Sequence, residues 1–153
     1  MRWFYLVVLN LNTKIMAIRK ATAKWNGTLK DGNGKMNFAD YSGPFTFKSR
    51  FEEGEGTNPE ELAGAAHAGC YSMFLSALLS GKDFIPDSIE TTATVHLGED
   101  SGPKITHIDL VCEAKVPGID ADTFAQLAAD AKKGCPISRL YAGTDINLDA
   151  KLV

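Results

Sequence analysis

Residues 58–70 read Asn58-Pro59-Glu60-Glu61-Leu62-Ala63-Gly64-Ala65-Ala66-His67-Ala68-Gly69-Cys70. Asn58 is suited to cap a helix, Pro59 to take its first position, and the two glutamates to sit in the first turn, where the helix dipole favours negative charge. The spacing predicts a helix from Pro59 to about Ser80-Gly81. Leu62, Ala65, Ala66, Gly69, Met73, Phe74, Ala77 and Leu78 would form its apolar stripe. With small residues elsewhere, the helix is expected to be almost wholly buried and central to the fold.

Upstream of it, residues 17–25 alternate loosely, and Asn26-Gly27 and Asp31-Gly32-Asn33-Gly34 mark tight turns, the pattern of a β-meander. Phe45, Phe47, Ser49 and Phe51 alternate with Thr46, Lys48 and Arg50, which predicts a strand over residues 45–51 with Arg50 near its end, before the Glu/Gly-rich residues 52–57. Downstream, residues 89–97 and 105–116 read as two longer strands pairing as a hairpin across the turn-rich residues 98–103. Cys112 shares the inward face of the second with Ile108, Leu110, Ala114 and Val116, as a core residue without chemistry. Asp120 or Asp122 caps an amphipathic helix with Phe124, Leu127, Ala128 and Ala131 inward, which Lys132-Lys133-Gly134 close. Cys135 follows at once, and residues 144–153 alternate as a last strand. The class is α+β, one domain over residues 16–153.

The chain has 153 residues, enough to bury a core without disulfides. A net charge of −3 with interleaved signs offers no basic face for nucleic acid, so a small molecule or another protein is the expected partner. Three cysteines, an odd number, suit a reducing compartment, and the cytoplasm is the expected location. The apolar run after Met1-Arg2 is broken by Asn10 and Asn12, is too short to span a bilayer, and lacks a usual cleavage site. Residues 1–15 read as an N-terminal extension, an upstream mis-start or an added strand, with Met16 as a second beginning.

Cys70 on a closely packed helix can be pre-positioned and shielded, while Cys135, between Gly134 and Pro136, would sit on backbone able to move toward it. An attacking and a resolving thiol need that division of labour, although free cysteines also serve simply as small buried hydrophobes.

Four pieces in order resemble the OsmC/Ohr family: Ser49-Arg50-Phe51-Glu52, residues 56–70, Val116-Pro117-Gly118-Ile119-Asp120, and Gly134-Cys135-Pro136-Ile137-Ser138. The contexts of His67 and Arg50 are closest to the osmotically inducible branch, and Gly69 stands where many relatives carry alanine. The resemblance covers about residues 16–153 and implies an intertwined homodimer in which antiparallel sheets wrap central helices. It implies thiol-dependent reduction of organic hydroperoxides, with Cys70 as the attacking cysteine, Cys135 as the resolving one, and Arg50 and Glu60 as the charged residues beside them. An external dithiol or lipoyl-type reductant would reopen the disulfide, with no metal, flavin or nucleotide required, and no nucleic acid or membrane as partner.

The chemistry agrees with those roles. Attack on a peroxide needs a thiolate, and Cys70 lies too far into its helix for the N-terminal dipole to lower its pKa. A guanidinium, that of Arg50, can supply the field and donate to peroxide oxygens, and Glu60 can hold it in a forked pair. Glu60 and Cys70, however, are separated by about 15 Å along a straight helix and roughly 80° around it. Each site is therefore expected to be completed across a subunit interface, or by a break in the helix near Ala63-Gly64.

Other readings weigh less. His67, one turn before Cys70, suggests a Cys-His hydrolase, but nothing nearby in sequence orients the imidazole and Cys135 would have no use. A His67/Cys70 metal site lacks two further ligands at sensible spacing. A non-enzymatic redox sensor or stress-induced binding protein using the same disulfide ranks second.

Overall fold

The computed structural model describes residues 17–153. The extension assigned to residues 1–15 lies outside the described residues. Strands β1 (Ala21–Asn26), β2 (Asn33–Phe38) and β3 (Tyr41–Thr46) form an antiparallel meander, as the turn signals predict. Trp25 packs on Phe45 with ring centroids 5.2 Å apart. Gly34 lies beneath both rings, where an added Cβ would come within 2.3 Å of Phe45.

The predicted strand over residues 45–51 is not formed. β3 stops at Thr46, and Phe47–Phe51 make a short helix, α1. Thr46 Oγ1 accepts from the Ser49 N–H at 3.1 Å while Ser49 Oγ accepts from the Thr46 N–H at 2.9 Å, a reciprocal cap that fixes a helix start. Arg50 accordingly projects from a helix rather than a strand end.

Helix α2 (Pro59–Ser80) begins as predicted: Asn58 Oδ1 accepts from the Glu61 N–H at 2.8 Å, Pro59 opens the helix, and Glu60 and Glu61 occupy the first turn. It is not wholly buried, and its inward stripe is Gly64, His67, Tyr71, Leu75 and Leu79 rather than the one predicted. Ala65, Ala66, Gly69, Met73 and Ala77 face outward, Met73 with 77% of its surface exposed.

β4 (Ser88–Glu99) and β5 (Pro103–Lys115) pair as the expected antiparallel hairpin. β6 (Asp145–Leu152) joins the far side of β5 in parallel, a departure from all-antiparallel sheets. The reason is the connection: helices α3 (Ala121–Gly134) and α4 (Pro136–Leu140) lie between β5 and β6, and a long helical crossover returns the chain in the same direction. Asp120 caps α3, its Oδ1 accepting from the Thr123 N–H at 2.9 Å. The core lies between this second sheet and its helices: Tyr71, Leu75 and Leu79 of α2, Ile108, Leu110, Cys112 and Ala114 of β5, and Phe124, Leu127, Ala128 and Ala131 of α3. Cys112 is fully buried there, as predicted. Gly64 lets α2 approach β4, since a Cβ would sit 3.2 Å from the Ala93 carbonyl oxygen.

Candidate active site

The predicted residues fall into two pairs. In the first, Cys70 on α2 and Cys135 at the junction of α3 and α4 are both free thiols, near enough for each to act on the other's charge. Cys70 is half-buried and Cys135 fully buried. The backbone at Cys135 ends one helix and opens the next: its N–H donates to the Ala131 carbonyl at 2.9 Å, and its own carbonyl accepts from the Arg139 N–H at 3.0 Å. Pro136, which cannot continue α3, opens α4 instead, and lines the cavity over Cys70. Burial pushes the Cys70 thiol above its ordinary 9.0, the neighbouring Cys135 adds to this, and the Ile137 backbone N–H opposes it. No cation of the same chain contributes among the described residues. A cavity of about 280 Å³ opens over Cys70, lined by Met73, Phe74, Ala77 and Pro136.

The second pair is Arg50 and Glu60. Arg50 Nη2 donates to Glu60 Oε1 at 2.7 Å, and Nε lies 3.1 and 3.2 Å from the two carboxylate oxygens, the predicted fork. Asn58 sets this geometry, because while capping α2 it also donates from Nδ2 to the Ser49 carbonyl at 2.9 Å and so ties α1 to the start of α2. The Arg50 guanidinium lies 5.1 Å from the centre of the Phe51 ring. It borders an apolar groove of about 420 Å³ walled by Trp25, Leu29, Phe45, Phe47 and Phe51, which the sequence reading did not assemble.

The two pairs do not meet within one chain. α2 runs unbroken from Pro59 to Ser80, so the break envisaged near Ala63-Gly64 is absent, and the ten residues from Glu60 to Cys70 keep their separation of about 15 Å. The cavity over Cys70 shares no lining residue with the two that Arg50 borders.

His67 is fully buried, and Ser138 orients it: Nε2 lies 2.8 Å from Ser138 Oγ, while Nδ1 has no hydrogen-bond partner and the ring meets Tyr141 edge-on at 5.5 Å. The imidazole is thus held, contrary to expectation, but by Ser138 and not by Cys70. Burial lowers its pKa, which favours a neutral ring. The link joins the helix carrying Cys70 to the one that follows Cys135.

A family model described as OsmC-like protein matches residues 52–149, which contain both cysteines and Glu60. The chain belongs to the OsmC family. It is 46% identical over 138 residues to "Peroxiredoxin OsmC" of Escherichia coli (strain K12), covering 88% of this chain and 96% of that protein. It is 30% identical over 106 residues to "Organic hydroperoxide resistance protein-like 1" of Staphylococcus epidermidis, covering 66% of this chain and 74% of that one. Among solved structures, the OsmC-like protein of Mycoplasma pneumoniae superposes with a TM-score of 0.74 at 15% identity, over 91% of this chain and 99% of that one. The organic hydroperoxide resistance protein OhrB of Bacillus subtilis does so with 0.69 at 24% identity, over 88% and 100%. At those identities the two likenesses establish the OsmC/Ohr fold alone.

Proposed function

We propose that this OsmC-family protein is a thiol-dependent peroxidase that reduces organic hydroperoxides to alcohols. The nearness of the Cys70 and Cys135 thiols carries the reading, because a half-buried sulfur that lines a cavity stands beside a fully buried one before any reaction. The names of the Escherichia coli and Staphylococcus epidermidis relatives support the same class. The Cys70 thiolate attacks one peroxide oxygen, the O–O bond breaks, and the alkoxide takes a proton and leaves as alcohol. The resulting sulfenic acid condenses with the Cys135 thiol, releasing water and forming a disulfide. An external dithiol, of lipoyl or similar type, reopens it by thiol–disulfide exchange. The two electrons come from the thiols, so the cycle uses no metal or organic cofactor.

The missing cation comes from a second subunit in this reading. A homodimer that pairs the outward face of α2 with its counterpart covers Ala65, Ala66, Gly69, Met73 and Ala77, and brings the partner's Arg50 and Glu60 to Cys70. The apolar groove beside Arg50 and the cavity over Cys70 then favour alkyl or lipid hydroperoxides over hydrogen peroxide. A reducing cytoplasm suits three free thiols.

The test is to treat the reduced protein with one equivalent of a tertiary alkyl hydroperoxide, measure intact mass, and map the peptides. Rapid loss of two hydrogens with a Cys70–Cys135 crosslink, followed by multiple turnovers once a dithiol is supplied, is the expected result. Unchanged thiols would defeat the reading, and a disulfide that forms slowly and only stoichiometrically would replace it with a redox sensor.

A further inference from the structure

The outer face of the second sheet, opposite the side that packs on α2 and α3, carries a cluster with no part in the thiol chemistry. His96 on β4 lies directly across from His107 on β5, and Asp109 follows on the same face of β5. The imidazole rings stack with centroids 3.8 Å apart and planes within 10°. His96 Nε2 is 2.8 Å, and His107 Nε2 3.8 Å, from the same oxygen, Asp109 Oδ2. One nitrogen from each ring and one carboxylate oxygen all lie within 4.8 Å of one another.

The surroundings aim these atoms. Asn147 on β6, paired with Asp109, donates from Nδ2 to Oδ1 at 2.7 Å and so leaves Oδ2 to the histidines. Thr106 donates its single hydroxyl proton to the His96 carbonyl at 3.3 Å. The same hydroxyl lies 3.1 Å from His107 Nδ1, which holds that ring with its Nε2 turned toward Asp109. His107 Nε2 and Asp109 Oδ2 face one another at 3.8 Å, beyond hydrogen-bond distance. Asp145, paired with His107 across the parallel ladder, adds negative charge at the rim. Such an arrangement calls for a cation.

We propose that His96, His107 and Asp109 bind one divalent first-row transition-metal ion, Zn2+ in the first instance, with water as a further ligand. Two imidazoles and a carboxylate form a borderline donor set suited to Zn2+ and its neighbours, whereas Ca2+ and Mg2+ require oxygen ligands throughout. Zn–N bonds of about 2.0 Å place tetrahedral ligand atoms roughly 3.3 Å apart. The rings therefore tilt out of their stack by side-chain rotation, and His96 loses its Nε2 proton to solvent. Asn147 and Thr106 are outer partners of the kind that orient metal ligands. The ion staples β4 to β5 and stabilises the folded chain as any ligand of the native state does.

The experiment uses the chain carrying Cys70→Ser and Cys135→Ser, so that thiolates do not compete for metal, and titrates it with Co2+ by visible absorption and with Zn2+ by calorimetry. One ion per chain is expected, with nitrogen/oxygen-type Co2+ bands, proton release, and no thiolate charge-transfer band. His96→Ala or His107→Ala should abolish binding, and Asn147→Ala should weaken it by about 10-fold. Imidazole 15N resonances of His96 and His107 in the otherwise unaltered background should shift with Zn2+, a readout that does not depend on the alanine variants folding. Imidazole resonances that ignore Zn2+, or metal binding indifferent to all three substitutions, would overturn the site and leave a stacked histidine pair beside Asp109.

Discussion

His67 is enclosed on every side, with Ser138 on one ring nitrogen and nothing on the other, so a second proton would place an uncompensated charge in the core. Burial accordingly holds its pKa below the ordinary 6.5. The unfolded chain takes up this proton as pH falls through 6.5 while the folded chain does so only lower, so the neutral ring's contribution is intact above 6.5 and is lost progressively in more acid solution. Urea midpoints measured from pH 7.5 to 5 should fall over that window, and His67→Gln should flatten the fall while costing about 1 kcal/mol at neutral pH through its weakened bond to Ser138. An unchanged slope in the variant would assign the acid sensitivity to another group. The sequence could place His67 one turn from Cys70, because that relation is local. It could not supply Ser138, which lies 71 residues away, although Ser138 closes the same short motif as Cys135.

At the scale of elements, α1 shows why an alternating pattern misleads. Phe47 and Phe51 share a face whether the chain is extended, with a period of two, or helical, with neighbours four apart, and their rings here lie 4.9 Å apart on a helix. Thr46 and Ser49 decide between the two, since their side chains satisfy backbone N–H groups that a strand would have given to a ladder. Thr46→Ala should therefore cost about 1 kcal/mol in chemical denaturation. It should also slow hydroperoxide turnover by more than that loss explains, because α1 carries Arg50 to Glu60. Stability lost with turnover intact would separate α1 from the site. α2 was legible at its start, where Asn58, Pro59 and the glutamates act locally, but not in its orientation. A helix apolar on nearly every side gives no direction to its stripe, and the buried face proved to be the one with Gly64, His67 and Tyr71.

At the scale of the whole molecule, one fact organises the rest: the core belongs to the second sheet, α2 and α3, while the first sheet and α1, which hold Arg50, contribute none of its members among the described residues. α2 is long and apolar enough to cross a bilayer, but its Gly64-to-Leu79 stripe packs on protein, and what remains is an outward face of small residues around Met73. Small residues permit close approach of a second helix, and a two-fold axis there would place each Arg50–Glu60 fork near the other subunit's Cys70. A mixing experiment discriminates this arrangement from a site confined to one chain. Arg50→Ala and Cys70→Ser chains are each expected to be inactive as homodimers. After unfolding and refolding an equimolar mixture, half the dimers are mixed, and each of these holds one Cys70 facing one intact Arg50. Turnover should recover to about one quarter of the unaltered level. Placing Met73→Glu on both chains should abolish the recovery by setting two like charges against each other at the shared face. If Arg50 instead served the Cys70 of its own chain, no mixed dimer would contain a complete site, and the refolded mixture would stay inactive.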